Sequence, residues 1–169
     1  MEIMIREGGP DDIPAILGLL DGAAEWLVAQ GRTGQWGTEP LSARPNVVDL
    51  VTEQVTHGTC YLGEADGIPV GMLTLTDAPG GRLRPAEEPE RFVRYLATDR
   101  SFKGLGVGSA LLAHAAEETR RAGVSLLRVD CYAGDDGKLV RYYESQGFVR
   151  TETYTGTDGW PGQVLARRV

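Results

Sequence analysis

Apolar residues recur three and four positions apart over Ile13, Ile16, Leu17, Leu20, Ala24, Leu27 and Val28, then stop at Gly31. Ahead of them, Gly8-Gly9-Pro10-Asp11-Asp12 places a proline and acidic residues where a helix starts. The pattern predicts a first helix, which Gly22 could divide in two. Residues 2–6 read as a preceding strand, and Met1-Glu-Ile-Met-Ile-Arg6 lacks the basic-then-apolar order of a signal peptide. A loop from Gly31 to Pro45 carries Gln35-Trp36. Val47, Val48, Leu50, Val51 and Val55 predict a second helix over 46–57.

The period then changes. Residues 59–64 and 70–76 form two strand-like runs joined by Asp66-Gly67, a hairpin signal. A polar loop over 77–90 leads to a strand over 91–98, a glycine-rich turn at 103–108 and a helix over 109–122 that stops at Gly123. A strand over 125–132, a short helix around 137–146 ending at Gly147, and strands near 148–154 and 162–168 complete the chain. No repeat or linker divides it. The expectation is one α/β domain over residues 1–169, with about seven strands and four helices in mixed pairing.

Composition narrows the classes. Hydrophobic residues at 41% and charged residues at 24% exclude collagen, coiled coil and wholesale disorder. No apolar run reaches the roughly 20 residues of a membrane span, and because the N-terminus reads as a strand rather than a signal peptide, the cytoplasm is the expected compartment. The net charge of −7 argues against a nucleic-acid partner, which requires a basic face. It leaves room for a local anion site built from backbone N–H groups. Cys60 and Cys131 lie in apolar, strand-like runs and read as buried free thiols rather than a disulfide. With His57 and His114 far apart and no CxxC or HxxxH, no metal is expected. No GxSxG elbow supports serine-hydrolase chemistry.

The segment that carries chemistry is Lys103-Gly104-Leu105-Gly106-Val107-Gly108-Ser109, a strand-to-helix turn with alternating glycines. Unpaired N–H groups at a helix start point outward, and glycine lets a phosphate approach the backbone. A Walker A loop needs Gly-Lys-Ser/Thr at its end, whereas here the lysine precedes the glycines. The dinucleotide fingerprint fails too. Asp99 to Lys103 separate the strand from the first glycine, Ser109 stands where the third glycine belongs, and too few residues follow Asp130 to complete a second half-fold.

Lys103-Gly-Leu-Gly-Val-Gly108 resembles the pyrophosphate-binding signature of the GNAT superfamily of N-acetyltransferases, Gln/Arg-x-x-Gly-x-Gly/Ala. Tyr95-Leu-Ala-Thr-Asp99 is similar to the family's preceding strand. Tyr142-Tyr-Glu-Ser-Gln-Gly-Phe148 is similar to its late Leu-Tyr-Glu-Lys-Leu-Gly-Phe. The spacing of the motifs and the order of elements match over essentially the whole chain. Lys103 departs from the usual Gln or Arg. Asp135 or Asp136 stands where the family often has an asparagine, and a carboxylate cannot donate as an amide does.

The resemblance implies a mostly antiparallel twisted sheet and acyl transfer from acetyl-CoA to the amine of a small molecule or peptide, in a monomer or homodimer without a membrane partner. Backbone N–H groups from Gly104 to Ser109 would cradle the pyrophosphate beside Lys103. The main chain around Leu96, Ala97 and Thr98 would pair with the pantetheine arm like an added strand and polarise the thioester carbonyl. Asp136 would take the asparagine's place at the cofactor. Tyr143 matches the tyrosine facing the departing thiolate. Tyrosine titrates near 10 and a thiol near 8.5, so complete proton transfer is uphill by roughly 2 kcal/mol, and hydrogen bonding is the expected role.

A lysine-like amine is neutral in about one part in a thousand near pH 7.4, which costs roughly 4 kcal/mol, while an α-amine costs under about 1 kcal/mol. Candidate bases are Glu64, Asp77 and the group Glu87, Glu88 and Glu90, whose carboxylates also read either as an acceptor entrance or as solvated surface. Trp36 lies in the loop where the family builds its acceptor pocket, although core packing is the favoured reading of this tryptophan. The competing class is a non-catalytic acyl-CoA-binding module that senses cofactor or docks on a partner.

Overall fold

Ile16, Leu20, Ala24 and Leu27 form the buried stripe of helix α1 (Ile13–Ala29), which runs unbroken through Gly22. A helical glycine costs about 0.5–1 kcal/mol, whereas burying each leucine or isoleucine returns about 1.5–3 kcal/mol. Gly22 sits on the exposed side, where a Cβ would meet nothing within 4 Å, so the stripe wins and the helix does not divide. The computed structural model describes residues 2–81 and 83–169. Met1 and Arg82, which fall at the approach to the first strand and in the loop over 77–90, lie outside them.

The other elements follow the predicted order. They are β1 (Ile3–Glu7), α2 (Pro45–His57), β2 (Cys60–Ala65), β3 (Ile68–Thr76), β4 (Glu90–Thr98), α3 (Val107–Arg121), β5 (Leu126–Tyr132), α4 (Lys138–Ser145), β6 (Val149–Thr155) and β7 (Pro161–Arg168). The seven strands form a mixed sheet in the order β1-β2-β3-β4-β5-β7-β6. The ladders β1–β2, β2–β3, β5–β7 and β6–β7 are antiparallel, and β4–β5 is parallel. Among the described residues, no helix is long and apolar enough to cross a membrane.

The chain forms two compact units, each taking two separate stretches: Met1–Leu75 with Tyr95–His114, and Thr76–Arg94 with Ala115–Val169. In the first, the stripe of α1 packs with Val47 and Val51 of α2 and with Leu62 and Met72 of the sheet. Gly63 and Gly71 pair across β2 and β3. A side chain at Gly71 would put its Cβ 2.6 Å from Val107 Cγ1 and 2.9 Å from Leu111 Cδ1. These bare positions let the first turn of α3 lie directly on the strands, with Val107 buried in the seat.

In the second unit, Arg128 of β5 donates through Nε and Nη2 to the Glu90 carboxylate of β4, at 2.7 and 3.1 Å. Both side chains are buried. The pair is bidentate, and the Ala86 N–H adds a third bond to the carboxylate at 2.6 Å. Charges removed from water need this degree of satisfaction to be tolerated.

Candidate active site

The first unit holds the glycine turn. Strand β4 ends where the Asp99 N–H donates to Val70 O at 2.8 Å. The Asp99 side chain then accepts from the Ser101 N–H at 2.9 Å, capping a short 3-10 turn over Arg100–Phe102. Gly104 and Gly106 follow at φ 90° and 71°, a left-handed conformation that disfavours side chains. Neither would bring a Cβ within 4 Å of any atom, so the space around both is open. In α3 the first N–H to find a main-chain acceptor is that of Ala110, which donates to Gly106 O at 2.9 Å. The N–H groups of Val107, Gly108 and Ser109 have no main-chain acceptor among the described residues. Three converging donors beside two bare glycines suit a phosphate.

Val107 is buried, so only its backbone can reach a ligand; Lys103, Leu105 and Ser109 are exposed around it. On β4, Ala97 is buried while Leu96 and Thr98 are half-buried. Trp36 is partly buried against the apolar cluster of α1 and α2.

The second unit holds Tyr143. It projects from the buried side of α4, edge-on to Phe148 with ring centroids 5.8 Å apart, and edge-on to Tyr142 at 5.4 Å. Burial pushes its phenol well above the ordinary range, and the nearby Cys131, Tyr142 and Asp130 push it further. It remains a protonated donor at any working pH. Asp135, Asp136 and Gly137 form a left-handed run at φ 55°, 62° and 71°, and the Asp136 carbonyl accepts from Arg141. Asp136 is exposed.

The acidic candidates separate. Glu90 opens β4 rather than closing the loop, and it is buried on Arg128, so it does not belong to a solvated acidic group. Glu88 is ion-paired to Arg168, which holds its carboxyl below the usual range. Glu64 accepts from Arg6 Nε at 2.9 Å. Asp77 and Glu87 are exposed.

One group was not found from the sequence. The hydroxyl of Tyr154 on β6 donates to the carboxylate of Asp130 on β5. Trp160, in the β6–β7 connection, lies tilted against Tyr132, with ring centroids 5.5 Å apart, and against Tyr154 at 6.1 Å. The alternation Arg128, Asp130, Tyr132 along one face of β5 was the available signal.

The profile of the acetyltransferase (GNAT) family matches residues 21–148, and the chain belongs to this family. The mycothiol acetyltransferase of Sanguibacter keddieii is 30% identical over 137 residues, covering 75% of this chain and 40% of that protein. The chain thus spans well under half the length of this relative. Among solved structures, a GNAT-family acetyltransferase from Listeria monocytogenes superposes with TM-score 0.77 at 20% identity, covering 100% of this chain and 96% of that one. The PaiA N-acetyltransferase of Thermoplasma acidophilum, in complex with coenzyme A, superposes with TM-score 0.74 at 16% identity over the full length of both. Their likeness is one of fold.

Proposed function

We propose that this acetyltransferase moves the acetyl group of acetyl-CoA onto a primary amine by direct attack while both substrates are bound. The observation that carries the reading is the turn at Gly104–Ser109, where three unpaired helix-start N–H groups and two left-handed glycines offer a phosphate cradle without side-chain charge. Lys103 adds a cation at its rim. Backbone groups of Leu96, Ala97 and Thr98 take the pantetheine arm, and an N–H of this strand stabilises the oxygen that gains charge as the amine attacks. Asp136 lies at the cofactor in the family's asparagine position.

Tyr143 donates a hydrogen bond to the departing thiolate. Its phenol is raised further above the thiol by burial, so the proton stays on the tyrosine oxygen while the C–S bond breaks. The attacking nitrogen first gives its proton to solvent, which for an alkylamine of pKa about 10.4 costs roughly 4 kcal/mol at neutral pH; a neighbouring carboxylate binds the charged form and does not lower that cost.

The test couples two measurements. Acetyl-CoA raises the melting temperature, because a ligand that binds only the native state stabilises it by mass action. CoA thiol is released when an amine from a panel of alkylamines, diamines and peptide N-termini is added. Stabilisation without thiol release from any amine overturns catalysis and leaves an acyl-CoA-binding module.

A further inference from the structure

We propose that Asp130, framed by Tyr132, Tyr154 and Trp160, forms an ammonium subsite that takes the acceptor as a primary alkylammonium ion. This rests on the acetyl-transfer reading above, and names the substrate class for it.

The argument starts from two carboxylates on neighbouring strands. Glu90 is satisfied by a bidentate guanidinium and a backbone N–H, and is sealed from water. Asp130 is only half-buried and receives the neutral hydroxyl of Tyr154 and its own backbone N–H, with Arg94 and Arg128 acting on it through space rather than by ion-pair contact. A carboxylate offers about four acceptor positions, so Tyr154 leaves room for more donors. Among the described residues, no lysine or arginine nitrogen comes within ion-pair distance of Asp130. An alkylammonium brings three donors and a full positive charge.

The surroundings suit the rest of such a ligand. Tyr132, Tyr154 and Trp160 are each half-buried, so their rings are reachable. Aromatic faces attract alkylammonium groups and cover the attached carbon chain. Two glycines fix these rings. A Cβ at Gly134 would overlap the Tyr132 phenol, and one at Gly162 would overlap the Tyr154 ring. The site is therefore preset rather than assembled around its guest.

Burial raises the Asp130 carboxyl, while the Tyr154 hydroxyl, Arg94 of β4 and Arg128 of β5 pull it back; Cys131 and Tyr143 are the other titratable groups that feel it. Ionised Asp130 consequently costs stability at neutral pH.

Calorimetric titration of n-butylammonium into CoA-saturated protein tests the subsite. The amine stays charged across pH 4–9, so any loss of binding on acidification reports a protein group. The expected result is binding that weakens as pH falls through the carboxylate range. Asp130→Asn weakens neutral-pH binding at least tenfold and flattens that dependence, with a melting temperature equal to or above wild type. Tyr154→Phe retains binding at neutral pH and moves the acid limb upward, because the hydroxyl bond that lowers the carboxyl is gone. Equal binding by wild type and Asp130→Asn, an unmoved limb in Tyr154→Phe, or no ammonium binding by a wild type that releases CoA thiol overturns the subsite. Asp130-dependent ammonium binding without thiol release supports the subsite and overturns the acetyl-transfer reading instead.

Discussion

Gly71 and Val107 are tied by an absence: the valine's Cγ1 lies 2.6 Å from where a Cβ on the glycine would stand. The first turn of α3, and with it the donors of the glycine turn, is positioned by a strand residue that has no side chain. Gly71→Ala forces Val107 and Leu111 outward. Overpacking of this kind costs about 1–3 kcal/mol, and each kcal/mol lowers the melting temperature of a chain this long by about 2–4 °C. The expected outcome is a lower melting temperature together with a smaller stabilisation by acetyl-CoA, both read by thermal denaturation.

Gly106→Val separates the two effects. Its Cβ meets no protein atom, so the fold loses only the cost of a left-handed side chain, about 1–2 kcal/mol. The same side chain projects into the open space that the phosphate needs. We expect a folded protein whose melting temperature no longer rises with acetyl-CoA. A normal rise removes the turn from the binding site.

Tyr143→Phe keeps the edge-on packing with Phe148 and Tyr142 and deletes the hydroxyl. As a donor used when the thiolate forms, it should lower kcat by about ten- to a thousandfold with little change in acetyl-CoA affinity. Steady-state kinetics beside a CoA-binding titration distinguishes this from a packing role, in which kcat is unchanged.

Glu90 and Glu87 should behave oppositely. Glu90→Ala strands Arg128 in the interior and costs about 3–5 kcal/mol, seen as a large fall in melting temperature. Glu87→Gln, at an exposed position, changes stability by less than about 0.5 kcal/mol. If the exposed acids draw a cationic acceptor, kcat/KM of the wild type falls as salt rises, over the roughly 8–10 Å Debye length of moderate ionic strength. A salt-independent kcat/KM contradicts steering.

Acid stability tests the N-terminal cap. Asp12 accepts from Arg6 Nη1 and Nη2 at 2.8 and 2.9 Å and from the Gly9 N–H at 2.7 Å. These bonds, the guanidinium first, hold its carboxyl at about 2, below its ordinary 3.8. A depressed carboxyl stabilises above its unfolded value, and that stabilisation is lost as pH falls through the folded one. Asp12→Asn should therefore be less stable than wild type at neutral pH, and the two should converge between pH 4 and pH 2 in acid-titrated denaturation.

The sequence exposed what depends on neighbours along the chain. Helices α1 and α2 followed from spacing, the hairpin from Asp66-Gly67, and the strand-to-helix turn from glycines at alternate positions. Glu90 was misread because its partner, Arg128, lies 38 residues on, and no local pattern distinguishes a buried carboxylate from a loop one. The Asp130–Tyr154 bond spans 24 residues and two strands, and exists only once the β5–β7–β6 register is set. Gly63 and Gly71 carry no local signal of their role, since their value lies in what rests on them.

Cys60 and Cys131 give a practical consequence. Burial pushes both thiols up to about 12, so at pH 8 about one in ten thousand is thiolate, against about a quarter for an exposed cysteine. The native protein should therefore react only slowly with disulfide reagents, and two equivalents per chain should emerge when denaturant is added, so that a thiol readout doubles as a meter of unfolding.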